Sequence, residues 1–205
     1  MTYQISQFDL LSTRVDNISE KRTKISMNKA LATRERLLTE ARKLLWSRGY
    51  SNVSLREIAQ GAGVDVALVS RYFGGKRGLF EATLEGAFDA PSLPDEAQLV
   101  DTVLQMFRDA PRGGDTPSSL QLIQTNANDP EVGETVRAAQ SESMQRILEE
   151  IIGDKERAAL FMSVLMGFAM AEKTLKLDGI AVPGTPAFEA QLRHLMVAAL
   201  RYEKP

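Results

Sequence analysis

Residues 54–73, SLREIAQGAGVDVALVSRYF, contain two stretches with helical apolar spacing, each only about two turns long. Leu55, Ile58, Ala59 and Ala62 mark the first stripe and Val64, Val69 and Phe73 the second, with Gly61-Ala62-Gly63-Val64 forcing a tight turn between them. Helices so short are unstable alone, so the pair must lean on a longer neighbour. From Thr33 onward Leu37, Leu38, Ala41, Leu44 and Leu45 line one face of such a helix, and Gly49 stops it. The chain is thereby committed to a corner of three helices.

Local chemistry supports each boundary. Ser54-Leu-Arg-Glu57 has the form of a capping box, Asp65 suits the start of the next helix, and Gly74-Gly75 suits its end. A fourth helix is expected from Lys76, with Leu79, Phe80, Leu84, Ala87 and Phe88 facing inward. After Pro91 and Pro94, helices are expected near 95–109, 117–127, 130–152, 155–177 and 186–203; Leu99, Val100, Val103, Leu104 and Phe107 mark the first. Thr116-Pro117, Asp129-Pro130 and Thr185-Pro186 each place a capping residue before a first-turn proline. No run alternates with period two, so the expected fold is all-α. The expected division is a flexible tail over 1–28, a helix-turn-helix domain over 29–80 and a helical domain over 81–205. The tail carries Lys21, Arg22 and Lys24, which suit either an arm that touches nucleic acid or a solvated tail, and Met27 within it could begin a shorter protein.

Composition narrows the chemistry. With no cysteine and a single histidine, His194, most zinc sites, thiol nucleophiles and Ser-His-Asp triads lack a necessary part, so no enzyme, metal or cofactor is expected. Glu149 and Glu150 are adjacent on a helix and point about 100° apart, a poor catalytic pair. Residues 1–85 hold 14 Lys/Arg against 9 Asp/Glu, whereas residues 86–205 hold 11 against 18. The first part suits a polyanion and the second does not. Apolar runs are too short for a bilayer and no signal-peptide pattern opens the chain, so a cytoplasmic protein without membrane contact is expected.

Two short helices crossing on a longer one form the helix-turn-helix shape, whose second short helix fits a DNA major groove about 12 Å wide. Burying Val64, Val69 and Phe73 leaves Ser70, Arg71 and Tyr72 outward, and each suits a base edge or a phosphate. The same spacing also describes an ordinary helical corner in a small-molecule binding or protein-interaction module that reads no DNA.

Residues 33–80 resemble the DNA-binding domain of the TetR family of bacterial transcriptional regulators. The likeness runs through Tyr50 after Gly49, Ser54-x-Arg56-x-Ile58-Ala59, the Gly63-Val64 turn and the Tyr72-Phe73 pair followed by Lys76. The resemblance implies that Arg56 reaches a base, that Ser54, Tyr72 and Lys76 meet the phosphate backbone, and that Thr33 does so at the start of the first helix. Ser54 is equally placed to serve only as a cap. Val66, Ala67 and Leu68 replace groups that are more often polar in the family, so Ala67 and Leu68 are expected to read thymine methyls while Arg56 and Arg71 supply polar discrimination.

The resemblance further implies a regulator, more often a repressor, that binds a palindromic operator as a homodimer and is released by a small-molecule effector. Ala159, Ser163, Gly167 and Ala171 recur every four residues and permit close helix approach; with Phe188, Leu192, Leu195, Met196 and Ala199 they form the expected dimer seam. An intramolecular core is the alternative. Met106, Met144, Met162, Met166 and Met170, with Phe107 and Phe161, suit a pocket for an apolar or aromatic effector, and equally suit plain core.

Overall fold

The structure, a computed structural model, describes residues 7–89, 95–109 and 117–204, with side chains from residue 27 onward. All regular elements among these are helical. The N-terminal group is α1 (Gln7–Arg48), a single 3-10 turn (Tyr50–Asn52), α2 (Leu55–Gly61), α3 (Ala67–Phe73) and α4 (Lys76–Leu84). Then follow α5 (Glu96–Asp109), α6 (Ser119–Asn126), α7 (Gly133–Gln140), a π turn (Ser141–Gln145), α8 (Arg146–Ile152), α9 (Lys155–Lys173) and α10 (Pro186–Leu200).

The expected tail is corrected by α1, which is already helical at Gln7 and runs for 42 residues. No glycine or proline precedes Gly49, and extending an existing helix requires only propagation, not a new nucleus. Leu37, Ala41 and Leu45 of α1 are fully buried, and around them close Ile58, Val69, Leu79 and Phe80. The Phe80 ring meets Tyr50 edge-on at 5.3 Å. Trp46 is buried as well and donates its indole N–H to Thr83 Oγ1 at 2.9 Å; the Thr83 hydroxyl in turn donates to the Phe80 carbonyl.

This first core does not end at residue 80. Leu122 and Ile123 of α6, with Val132 and Val136 around the start of α7, are buried in the same cluster. The expected boundary at 80/81 therefore falls inside one packing unit. A second cluster joins Leu99 and Val103 of α5, Leu148 and Ile152 of α8, Phe161 of α9, and Leu192 and Met196 of α10. Met144 and Met166 touch both clusters.

Several helix ends differ from expectation for local reasons. Ser118 caps α6 by accepting from the Gln121 N–H; Thr116 lies outside the described residues. Asp129 accepts from the N–H groups of Glu131 and Val132 and so shapes the turn before α7, whose cap position is Val132. Thr185 caps α10 as expected, with a proline in its first turn. Helix α9 stops at Lys173 rather than 177. Beyond it Leu175 and Leu177 have no core to enter and are 57% and 49% exposed.

Candidate nucleic-acid interface

The turn between α2 and α3 is built on backbone geometry that the glycines supply. Gly63 adopts φ 66, and its N–H closes the turn onto the Gln60 carbonyl at 3.1 Å. Asp65 Oδ1 then accepts the Ala67 N–H at 2.7 Å, so one carboxylate fixes the first turn of α3. Gly74, in the left-handed region at φ 73, ends α3 with its N–H on the Ser70 carbonyl. Gly78 of α4 is required for another reason: a Cβ there would stand 2.0 Å from the Phe73 carbonyl oxygen. Helix α4 thus presses backbone to backbone against the end of α3.

With α3 seated this way, Val69 is fully buried and Phe73 packs on the first core, while Ala67, Ser70 and Arg71 stand in solvent. Arg56 is exposed at the start of α2. Among the arginines from 42 to 80, Arg42 donates to the carbonyls of Thr83 and Glu85, Arg48 pairs with Glu57 at 3.0 Å, and Arg77 pairs with Glu81 at 3.0 Å. Arg56 and Arg71 make no hydrogen bond or ion pair among the described residues. Their donor forks are open to an external acceptor. Leu68 is half-buried, and Val66, 39% exposed, adds to the apolar front of α3.

The residues expected on the phosphate backbone are placed differently. Thr33 is not at a helix start but deep inside α1, where its hydroxyl donates to the Lys29 carbonyl at 2.9 Å. Ser54 forms the complete capping box: its oxygen accepts the Glu57 N–H at 3.2 Å and its own N–H donates to Glu57 Oε2 at 2.8 Å. Those bonds from the Ser54 N–H and hydroxyl, with Arg48 beyond them, hold the Glu57 carboxyl below its ordinary pKa. A phosphate at Ser54 would meet that carboxylate, so capping is the role the geometry serves. Lys76 lays its ammonium 4.2 Å from the centre of the Tyr50 ring. Leaving the ring for a phosphate costs on the order of 1 kcal/mol. Tyr72 is half-buried with its ring edge-on to Phe73, and its hydroxyl has no partner among the described residues.

Two cations were not singled out by motif. Arg34 places its guanidinium 5.2 Å from the Phe73 ring centre, and Arg36 is exposed beside the Gly63 turn, 3.9 Å from where a Cβ at that glycine would stand. The signal for Arg34 in the sequence is a long carboxylate-free stretch, since Lys21 to Arg34 contains five Lys/Arg and no Asp/Glu, whereas Arg36 follows Glu35.

In the second part the residues expected in the dimer seam divide between surface and core. Ala159, Ser163 and Gly167 are exposed along α9 and Ala171 is half-buried, and Leu195 of α10 is 40% exposed. Phe188, Leu192, Met196 and Ala199, however, lie in the protomer's own second core, because α10 packs that face on α5 and α9. They are corrected from seam to core. The outward face of α10 instead shows Ala187, Ala190, His194 and Ala198.

The expected pocket set is likewise dispersed. Phe161 and Met162 are core, Met106 and Met170 are 43% and 38% exposed, and Phe107 tilts against Phe188 at 6.3 Å. Only Met144 and Met166 sit together at the junction of the two clusters. A cleft of about 660 Å³ lies elsewhere, between α4 and α7, lined by Arg77, Pro130, Glu131, Glu134, Thr135 and Glu142 among others. It contains none of the expected pocket residues.

Comparison with known proteins agrees with this geometry. Residues 37–83 match the family model described as bacterial regulatory proteins, tetR family. A stretch of 51 residues is 43% identical to the "Probable HTH-type transcriptional regulator YttP" of Bacillus subtilis (strain 168), a match spanning 25% of this chain and 25% of that protein. The fold resembles the crystal structure of a TetR-family transcriptional regulator from Mesorhizobium loti MAFF303099, with TM-score 0.50 and 17% identity over 83% of this chain and 94% of that one. It also resembles a mutant form of HlyIIR, with TM-score 0.51 and 24% identity over 82% and 96% of the two chains. No helix among the described residues is long and apolar enough to cross a membrane.

Proposed function

We propose that this chain, whose residues 37–83 match the tetR family model, is a dimeric transcriptional repressor of that family that reads a palindromic operator with α3 and leaves it when a small apolar or aromatic effector binds. The observation that carries the reading is the contrast within the head: α3 buries Val69 completely while Arg56 and Arg71 stand in solvent with donor forks unpaired among the described residues. A guanidinium held free on a rigid helix suits the two acceptors on a guanine edge, and Ala67 with Leu68 suits thymine methyls. A helix-turn-helix head of this kind binds nucleic acid and performs no catalysis.

Support for the dimer comes from Gly167. It lies mid-helix in α9, where glycine is disfavoured by about 0.8–1.0 kcal/mol relative to alanine, and a Cβ added there would meet nothing within 4 Å. Nothing among the described residues requires that glycine. A second helix approaching the strip of Ala159, Ser163 and Gly167 does. Two-fold pairing would place two α3 helices toward successive major grooves.

The effector would act at the junction of the two clusters, where half-buried Met144 and Met166 can repack around an apolar guest. The decisive experiment selects bound sequences from a random duplex pool and repeats it with Arg71→Ala. A palindromic consensus should emerge, with guanine preference relaxed in the variant by about 1–3 kcal/mol. Recovery of no consensus, or one indifferent to Arg71, would favour a module that reads no DNA.

A further inference from the structure

Helix α1 exceeds what the helix-turn-helix head uses. Among its described side chains, from residue 27 onward, the first fully buried is Leu37, and Met27, Asn28, Lys29, Leu31 and Ala32 are all exposed. The 30 residues from Gln7 to Arg36 lie ahead of that contact, a rod of about 45 Å at 1.5 Å per residue. Between residues 27 and 32 most of the side chains stand in solvent, so this stretch of the helix is open to a partner.

Charge identifies the partner. Lys21, Arg22, Lys24, Lys29 and Arg34 follow one another with no intervening carboxylate, in a chain whose overall balance is acidic. Positions 22, 29 and 36 recur every seven residues, which keeps them on one side of a helix. The run is continuous with the reading head: Arg34 stacks over Phe73, the last residue of α3, and Arg36 borders the Gly63 turn. We infer that the stretch of α1 from Lys21 to Arg36 is a second, sequence-independent DNA surface, which grips phosphates beyond those reached from α2 to α4. The inference rests on the DNA reading proposed above. It also gives the protein the backbone grip that the internally engaged Thr33, Ser54 and Lys76 supply poorly.

The test uses the full chain carrying Lys21→Gln, Arg22→Gln and Lys24→Gln together; glutamine keeps helix propensity, and circular dichroism checks the helix. Binding to a duplex of arbitrary sequence is followed by anisotropy across a salt titration. A control removes three cations from the second part, with Lys155→Gln, Lys173→Gln and Lys176→Gln. Loss of three phosphate contacts per protomer should flatten the slope of log K against log salt by about 2–3 for each protomer on the DNA, with the control unchanged. An unchanged slope in the triple variant, while the parent binds with a steep one, overturns the inference but leaves the head's function standing. A triple variant that changes the sedimenting mass and not the slope also overturns it, by assigning the rod to a protein partner. A parent that binds no duplex at all defeats both readings.

Discussion

Asn126 offers the sharpest test of how the reading head is held. Its side chain is 0% exposed, its Oδ1 accepts the Tyr50 N–H at 2.7 Å, and its Nδ2 donates to the carbonyls of Leu45 and Leu122 at 3.1 and 3.2 Å. Asn126→Ala leaves the buried Tyr50 N–H without its acceptor, at about 1–3 kcal/mol. The Leu45 carbonyl suffers less, since it still accepts from the Gly49 N–H at 3.1 Å. Adding a small cavity where the amide stood gives an expected loss of about 2–4 kcal/mol, measured by urea denaturation with the slope checked for constancy. Asn126→Leu separates the terms, because it nearly restores the volume but not the acceptor. It should retain most of the loss. Recovery of parental stability by Asn126→Leu would show that packing and not the hydrogen bond holds the joint, and would refute the reasoning.

Gly78→Ala should either destabilise the head by about 1–3 kcal/mol or displace α3, because the added carbon falls on the Phe73 carbonyl and backbone cannot swing aside; unchanged melting temperature together with unchanged DNA affinity would contradict this close approach. Burial raises the Asp129 pKa, but bonds from the Ser51 hydroxyl and the N–H groups of Glu131, Val132 and Ser51 outweigh it, leaving the carboxyl below its ordinary value of 3.8. A depressed carboxylate stabilises the fold above its unfolded pKa and loses that contribution as pH falls through the folded one. The advantage of the parent over Asp129→Asn should therefore shrink below about pH 4, and a gap in melting temperature that stays constant there would remove Asp129 from the acid response. Gly167→Leu should leave the protomer folded while sedimentation shifts toward the monomer; an intact dimer would move the seam away from α9.

How much of this was legible in the sequence depended on the range of the forces involved. The helix-turn-helix head was readable because its determinants are local: the Ser54 and Glu57 capping box, the positive φ at Gly63 and Gly74, and the buried stripe ending at Val69 all act within a few residues. Where a face could be buried against either of two partners, periodicity gave no answer. Phe188, Leu192, Met196 and Ala199 were assigned to a dimer seam on spacing that equally describes the interior face of α10, and only the position of α5 and α9 decides between them. The α1 extension was missed because residues 1–28 show no sustained apolar period, and such a period marks a packing face rather than helix itself. Arg34 and Arg36 belong to no motif, and their value comes from three-dimensional proximity to Phe73 and Gly63.

The shared first core has a mechanical consequence. If the head were closed at residue 80, motion in the second part would reach it only through α4. Instead Leu122, Ile123, Val132 and Val136 complete the cluster that holds Phe80 and Val69, while Asn126 and Asp129 bind the backbone of Tyr50 and Ser51. The other end of the same segment runs through the π turn to Met144, which touches both clusters. A π turn adds one residue to the helical ring, and resolving it into α-helix would rotate α7 against α8 by about 100°. Any repacking around Met144 and Met166 thus acts on a segment whose far end packs on α1 and α4, the helices that hold α3. Cores are close-packed and do not deform continuously, so such a displacement moves Val132 and Val136 as bodies and carries the seat of the reading helix with them.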